Sequence, residues 1–540
     1  MKEEALLAQI LTPQRPFGPA SIDDRVERKV AIALFDDNNE LERLMRRVRP
    51  VFLLGRRGSG KTAFLKTRLN GALAVDVSSP TILAAMSNTI SELQRYGVTR
   101  FAEETALLWD AALTSACCAR LWSGHVGIDV NTIDAWHQDA LVFGYLERSP
   151  EYTNYATENA ARLLRAIREA ILSSPDPASL PSLIEEVSLN GVPLWRAREV
   201  LRSLVVNHRV RMVVSIDSLE SYDSMLYSDG PLLTAEGAAL QGLFRIAGEI
   251  GREPNPVFEV RVSFPAEVWY HYSKLSLNPL KDFDNCMLLH WNAGELYSLL
   301  ATRLLKHLRL YHPTEYRRLD IRGSRWAPAV LSRYLPAYVT NAFGGKERPL
   351  TYMMRHTQLL PRHALTVFNH VFGGEEELHP QSITPKKVRD GVHSAERIIA
   401  QEIIDAYGLV YPQLDEVCQR TIPRLELSFT YSQFAEAYHE RSSSRDIQYQ
   451  DALEMLLEVG AIGAEATTTS MYQKADFEYL HVTRMLVGPT DTLCLHPLFA
   501  AKYRSVNYRN PDNSPHLPVL PLGSDFESQD GFARILHLTR

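Results

Sequence analysis

The chain has 540 residues, enough for about three domains with a large buried core. With 45% hydrophobic and 23% charged residues it is not a disordered chain, a collagen-like fibre or a coiled-coil rod. A net charge of −6 excludes a polycation built to coat nucleic acid, although opposite local charges can hide in that total.

The start, Met1-Lys2-Glu3-Glu4, is acidic and lacks the basic and apolar stretches of a signal peptide. No run of 18 apolar residues appears, so no membrane span is expected and the protein is read as cytoplasmic. Cys117, Cys118, Cys286, Cys418 and Cys494 form no CxxC pair, so all five are read as packing residues in a reducing compartment. The 17 histidines include no HExxH, and no G-x-S-x-G elbow occurs.

Residues 1–35 read as a lead-in, where Pro13, Pro16 and Pro19 discourage regular structure. Asp36–Val48 reads as a helix, Val51–Leu54 as a short buried strand, Lys61–Asn70 as a helix and Ala72–Val77 as a second strand. Val210–Ile216, Val257–Phe264 and Cys286–His290 complete the strand set, and strands alternating with helices predict a parallel α/β sheet. Residues 78–209 read as a helical insertion, with helices at Thr81–Tyr96, Phe101–Leu121, Tyr155–Leu172 and Leu194–Asn207. The expected divisions are 36–292 for the sheet domain and 293–372 for a helical lid, ended by Gly373-Gly374 and the acidic Glu375–Glu377. A module over 380–505 and a loosely attached tail over 506–540 follow.

Gly55-Arg56-Arg57-Gly58-Ser59-Gly60-Lys61-Thr62 matches G-x-x-x-x-G-K-[ST] between a predicted strand and a predicted helix. Glycines at this spacing let backbone N–H groups point inward at phosphate oxygens, and the helix start adds its positive end. Lys61 is then assigned to the β- and γ-phosphates of ATP and Thr62 to Mg²⁺. Val210–Asp217 is an apolar strand ending in an acid, so Asp217 is expected at the carboxyl edge of the sheet as the second Mg²⁺ residue, acting through water. Glu220, three residues on, is the candidate to polarise the attacking water.

This arrangement resembles the additional-strand branch of P-loop ATPases, which includes AAA+ proteins and STAND signalling ATPases. The resemblance implies a strand inserted between the phosphate loop and the metal-binding strand, with Ala72–Val77 as the candidate. Ile216-Asp217-Ser218-Leu219-Glu220 resembles the STAND form, whose second acid stands three residues after the first. By the same resemblance Arg261 or Ser263 faces the γ-phosphate, although Phe264-Pro265 replaces the usual polar end of that strand. Leu289–Leu296 through Arg303-Leu304 resembles the strand-to-lid junction of bacterial ATPases related to origin-recognition proteins. Met354–Arg362 resembles a lid motif in which an arginine senses nucleotide, making Arg355 and Arg362 candidates.

Leu425–Phe429, Tyr431–Arg441, Tyr449–Val459, Ala461–Glu465 and Phe477–Val482 read as strand, helix, helix and two wing strands, a winged-helix pattern. Residues 381–540 hold 15 Lys and Arg against 21 Asp and Glu, and the would-be recognition helix carries Asp451, Glu454 and Glu458 with no base. Such a helix repels phosphate, so this module is expected to bind protein or to mediate self-association. Between Arg303 and Arg362 stand 12 bases against three acids, interleaved with Tyr311, Tyr316, Trp326, Tyr334, Tyr338 and Tyr352. That stretch suits either a lid facing nucleotide and a neighbouring subunit or a nucleic-acid surface.

The sequence therefore predicts an ATP- and Mg²⁺-dependent ATPase acting as a conformational switch. The family resemblance implies a role in bacterial stress or anti-phage defence. A DNA-associated AAA+-like remodeller and a nucleotide-binding scaffold with little turnover are the alternatives.

Overall fold

A computed structural model describes residues 2–20, 34, 51–67, 72–95, 101–122, 138–144, 155–173, 180–217 and 234–525, the last without 274, 277, 284, 320, 322, 324, 375–377, 409, 440–446, 482–483 and 510–516. The helix expected over 36–48 lies outside these residues. The chain divides into a sheet unit (37–56, 61–289 and 535–540) and a C-terminal unit (1–36, 57–60 and 290–534).

The sheet unit is built on five parallel strands: β1 (Phe52–Gly55), β2 (Leu73–Ser78), β3 (Met212–Asp217), β4 (Glu259–Pro265) and β5 (Cys286–Leu288). Their order is β2-β3-β4-β1-β5. Apolar runs such as FLLG and MVVSID suit strands covered on both faces, and every residue of β1 is buried. A ring cluster of Phe52, Phe244, Phe264 and Phe283 packs on one face, with most centroid separations between 5.1 and 6.1 Å.

The order corrects one expectation. Leu73–Ser78 is the edge strand, and β4 is the strand seated between β1 and the strand that ends in Asp217. A solvent-facing Asp76 and Ser78 interrupt the apolar run of β2, as an edge allows, whereas β4 is buried from Val260 to Pro265.

Among the described residues between β2 and β3, helices form at Ser79–Arg95, Phe101–Trp122, Tyr155–Ser173 and Leu194–His208 as the periodicity predicts, joined by the shorter Gln138–Phe143 and Leu180–Glu186. The buried Trp109 indole N–H donates to the Ala239 carbonyl at 2.7 Å, and buried Asn159 bonds the Ser115 hydroxyl at 2.8 Å. At Gly242 an added Cβ would come within 2.4 Å of Thr105 Oγ1, so glycine permits that helix pair to close. All five cysteines are buried and unbridged, and burial pushes the Cys118 thiol up to about 12.

In the C-terminal unit the Ala293–Tyr311 helix begins with a capping box. Asn292 Oδ1 accepts from Glu295 N at 2.9 Å, and Glu295 Oε2 accepts from Asn292 N at 3.1 Å. The first twenty residues are not an irregular lead-in: Lys2–Ile10 is a helix, and the proline-bearing segment after it is pinned. Fully buried Phe17 meets Phe368 and Phe372 edge-on at 5.5 and 5.2 Å. Arg303 Nη1 donates to the Phe17 carbonyl at 2.9 Å, and Asn369 bonds Phe17 N at 3.1 Å and the Gly18 carbonyl at 2.8 Å. The prolines remove donors, and the carbonyls of the segment are met one by one: Thr12, Pro13 and Arg15 accept from backbone N–H groups, and Phe17, Gly18 and Pro19 from the Arg303 and Asn369 side chains. Phe17→Ala is expected to destabilise this unit by about 3–5 kcal/mol, read as a lowered urea midpoint against wild type.

One buried cluster runs from Phe17 and Ala293 through Val371 and Val388 to Val519, so helices Pro361–Phe372 and Pro385–Tyr407 share a core. The winged-helix arrangement follows: helix Leu414–Thr421, strand β6 (Ser428–Thr430), helices Tyr431–His439 and Tyr449–Glu458, then β7 (Ile462–Thr468), β8 (Gln473–Asp476) and β9 (Thr492–Leu495). With β10 (Val519–Pro521) the sheet order is β6-β9-β7-β8-β10.

Two expectations change here. Phe477–Val482 is not a wing strand; its described part carries a 3₁₀ turn at Glu478–Leu480. Phe477, Tyr479 and Leu480 are all buried, which strict alternation cannot achieve, and β8 and β9 supply the strands instead. The tail is not loose over its described part. Val519–Pro521 pairs in parallel with β8, Leu522 N donates to Ala475 O at 2.9 Å, and Asn507 Oδ1 accepts from Leu427 N at 2.6 Å. Among the described residues no helix is long and apolar enough to cross a membrane.

Candidate functional site

Parallel strands send all their carboxyl ends to one edge, where β1 delivers the loop Gly55–Gly60 and the Lys61–Thr67 helix follows. Gly58 and Gly60 have φ of +88° and +96°, the left-handed region in which a side chain is strained. Lys61, only 6% exposed, folds its Nζ back to the Gly55 carbonyl at 2.8 Å and the Arg56 carbonyl at 3.3 Å. Thr62 is half-buried in the first turn. This strand, curled loop and helix carry out the geometry that the motif requires.

The loop fits a phosphate by its own chemistry. Ser59 is fully buried and its hydroxyl has no hydrogen-bond partner. A Cβ built on Gly60 meets nothing within 4 Å, so the curl encloses space rather than packing. Among the described residues no three His, Cys, Asp or Glu side chains converge on one point.

Asp217 stands at the end of β3, and the Ser263 hydroxyl on neighbouring β4 donates to its Oδ1. The register brings Ser263 opposite Leu53 of β1, so β4 links the loop strand to the acid strand. Of the two residues expected at this place, Ser263 reaches Asp217. Arg261 is 3% exposed and paired with Glu259 at 3.4 Å. Glu220 lies outside the described residues.

In the C-terminal unit, Arg57–Gly60 cluster with the helices that follow β5. Arg362 opens the Pro361–Phe372 helix; its backbone N–H donates to the Gly58 carbonyl at 3.3 Å, and a Cβ on Gly58 would lie 2.9 Å from Arg362 Cβ. Arg362 Nε is buried without a hydrogen-bond partner. The Trp291 indole N–H donates to the Ser59 carbonyl at 2.8 Å, a contact that no motif announces.

Arg355 is placed differently. It is 2% exposed, and its Nε and Nη2 donate to Glu347 at 2.9 and 3.1 Å, while Asn341 Nδ2 donates to the same carboxylate at 2.6 Å. Burial pushes the Glu347 carboxyl up, but the Arg355 guanidinium outweighs this and holds it below its ordinary range. Burial likewise opposes the Arg355 charge, and Glu347 more than restores it. Arg355 therefore ties a hairpin strand to the end of the Pro349–Met354 helix, its guanidinium engaged by a buried carboxylate.

The basic stretch also sorts by burial. Arg303 and Arg355 are core residues, while Arg309, Arg317, Arg318, Arg325, Lys346 and Arg348 are exposed. Tyr334 and Tyr352 are buried and Trp326 packs against the core, leaving Tyr311 and Tyr338 as the exposed aromatics. On the winged-helix module, Asp451 and Glu454 are exposed, while Arg484 bonds Glu458 at 2.7 Å and lies 4.0 Å from Glu454, which offsets part of the helix's acidity.

No protein-family model and no curated protein matches the chain. Among solved structures it is similar to a Walker-type ATPase of Pyrococcus abyssi, at 11% identity and TM-score 0.38 over 90% of this chain and 99% of that one. It is also similar to the ORC2 protein of Aeropyrum pernix in its ADPNP–ADP complexes, at 13% identity and TM-score 0.29 over 91% and 98%. The ADP form of that protein matches at 13% identity and TM-score 0.28 over 92% and 97%. At these values the assignment of a P-loop parallel α/β fold rests on the chain's own strand order and loop.

Proposed function

We propose that the protein binds and hydrolyses ATP and uses the cycle as a conformational switch. One observation carries this reading: a curled Gly55–Thr62 loop leaves β1 beside a β4 serine that holds the terminal aspartate of β3. Lys61 and the loop amides would bind the phosphates, with Gly55, Arg56, Arg57, Gly58, Ser59 and Gly60 shaping the cradle. Thr62 and, through water, Asp217 are the residues suited to hold Mg²⁺, which when bound neutralises charge building on the phosphates. Ser263 fixes the Asp217 carboxylate, and Glu220 is the proposed orienter of water. Arg362, whose helix starts at the loop, is the proposed lid arginine.

A switch in the manner of STAND ATPases, in bacterial stress or anti-phage defence, is the finer part of this proposal and derives from the motif resemblance. Exposed Asp451 and Glu454, on a Tyr449–Glu458 helix that itself carries no base, support a protein partner, or self-association, over DNA for the winged-helix module. The exposed bases from Arg309 to Arg348 support nucleic acid as the second reading, in a DNA-associated remodeller. Titration of the full chain with ATP and Mg²⁺ in a calorimeter tests the proposal. Saturable binding is expected, and its absence overturns the reading.

A further inference from the structure

Gly58 and Gly60 flank Ser59, so both peptides of Ser59 adjoin residues with unusual rotational freedom. A loop this soft does not by itself present its amides in one direction. In a trans peptide the C=O and the following N–H point in opposite senses, and no cis peptide occurs among the described residues. Whatever holds a carbonyl therefore aims the next N–H. The Trp291 indole holds the Ser59 carbonyl at 2.8 Å, which turns the Gly60 N–H the other way. The Arg362 backbone N–H holds the Gly58 carbonyl at 3.3 Å and does the same for the Ser59 N–H. Trp291 is itself fixed, because the next residue, Asn292, is locked in the capping box of the Ala293–Tyr311 helix.

We propose that Trp291 is a positioning residue of the phosphate loop, presetting the 59–60 peptide so that its N–H faces a bound polyphosphate. The inference rests on the nucleotide-binding reading above. It explains why an indole, partly buried and donor only, stands three residues beyond β5. Presetting an amide before the ligand arrives spares the ligand the cost of ordering it.

The test is calorimetric titration with ATP and with ADP, without turnover as a readout. Trp291→Phe is expected to weaken both about tenfold, the loss of one well-placed hydrogen bond. Benzothienylalanine at position 291 keeps the bicyclic ring and replaces only the N–H by sulfur, so it separates the donor from packing and serves if the phenylalanine variant does not fold. It should match the phenylalanine variant, and 5-fluorotryptophan, which keeps the donor, should retain wild-type affinity. Wild-type affinity in the benzothienylalanine chain, or equal weakening in the 5-fluorotryptophan chain, overturns the inference while leaving ATP binding in place. Absence of ATP binding by the wild-type chain overturns both.

Discussion

Replacing Lys61 with alanine is expected to weaken ATP binding by about two orders of magnitude while leaving the fold intact. Lys61 is a cation at 6% exposure, and its Nζ donates to the carbonyls of Gly55 and Arg56. Such dipoles compensate burial of the ammonium, and a phosphate oxygen would do so more strongly. Charge-assisted hydrogen bonds are worth about 1.5–3 kcal/mol each, so losing one or two reaches a hundredfold. Alanine suits the first turn of the Lys61–Thr67 helix, and β1 keeps its pairing to β4 and β5. Calorimetric titration of both chains, with circular dichroism as the control for folding, checks this. Equal affinities would remove Lys61 from the site.

Glu347→Ala is expected to destabilise the C-terminal unit by about 3–5 kcal/mol, because it strands the Arg355 guanidinium in the core. Both side chains of the pair are 2% exposed, so water cannot replace the lost partner without opening the structure. Asn341 Nδ2 loses its acceptor in the same substitution. The double variant Glu347→Leu, Arg355→Met should recover most of the loss, since removing both charges abolishes the desolvation cost that the pair offsets. Urea denaturation of the wild type, Glu347→Leu, Arg355→Met and the double variant measures the cycle. A lone Arg355→Met variant with wild-type stability and weakened ATP binding would return Arg355 to the sensing role that its motif suggests.

These two residues mark the boundary of what the sequence discloses. Lys61 sits in a local pattern whose spacing is itself the geometry, so eight consecutive residues sufficed to find the loop. The strands of the sheet were equally legible, because fully buried strands are apolar runs bounded by turns. Their order was not: nothing local tells Glu259–Pro265 that it lies between β1 and β3. Arg355 resembles a lid arginine in one dimension, yet its partner Glu347 stands on a hairpin strand just before the Pro349–Met354 helix, and only the fold turns the two side chains together. Phe17 was hidden for a related reason. The prolines around it signal loss of helix and strand, whereas its order comes from Arg303 and Asn369, some 290 and 350 residues away. Phe477 and Tyr479 alternate like a strand, but Leu480 also turns inward and breaks the period. Trp291 was visible as a letter, and only the fold shows that its indole reaches Ser59.

The proposed chemistry meets its most direct test in release of inorganic phosphate from ATP by the full chain in Mg²⁺. Wild-type protein is predicted to turn over. Asp217→Asn, which keeps the side-chain shape and the Ser263 neighbour but removes the charge that would organise the metal, is predicted to lose about a hundredfold or more of that rate. Its affinity for ATP, set mainly by the loop and Lys61, should change only a few-fold. Undiminished phosphate release by Asp217→Asn, or none from the wild-type chain, would contradict the account.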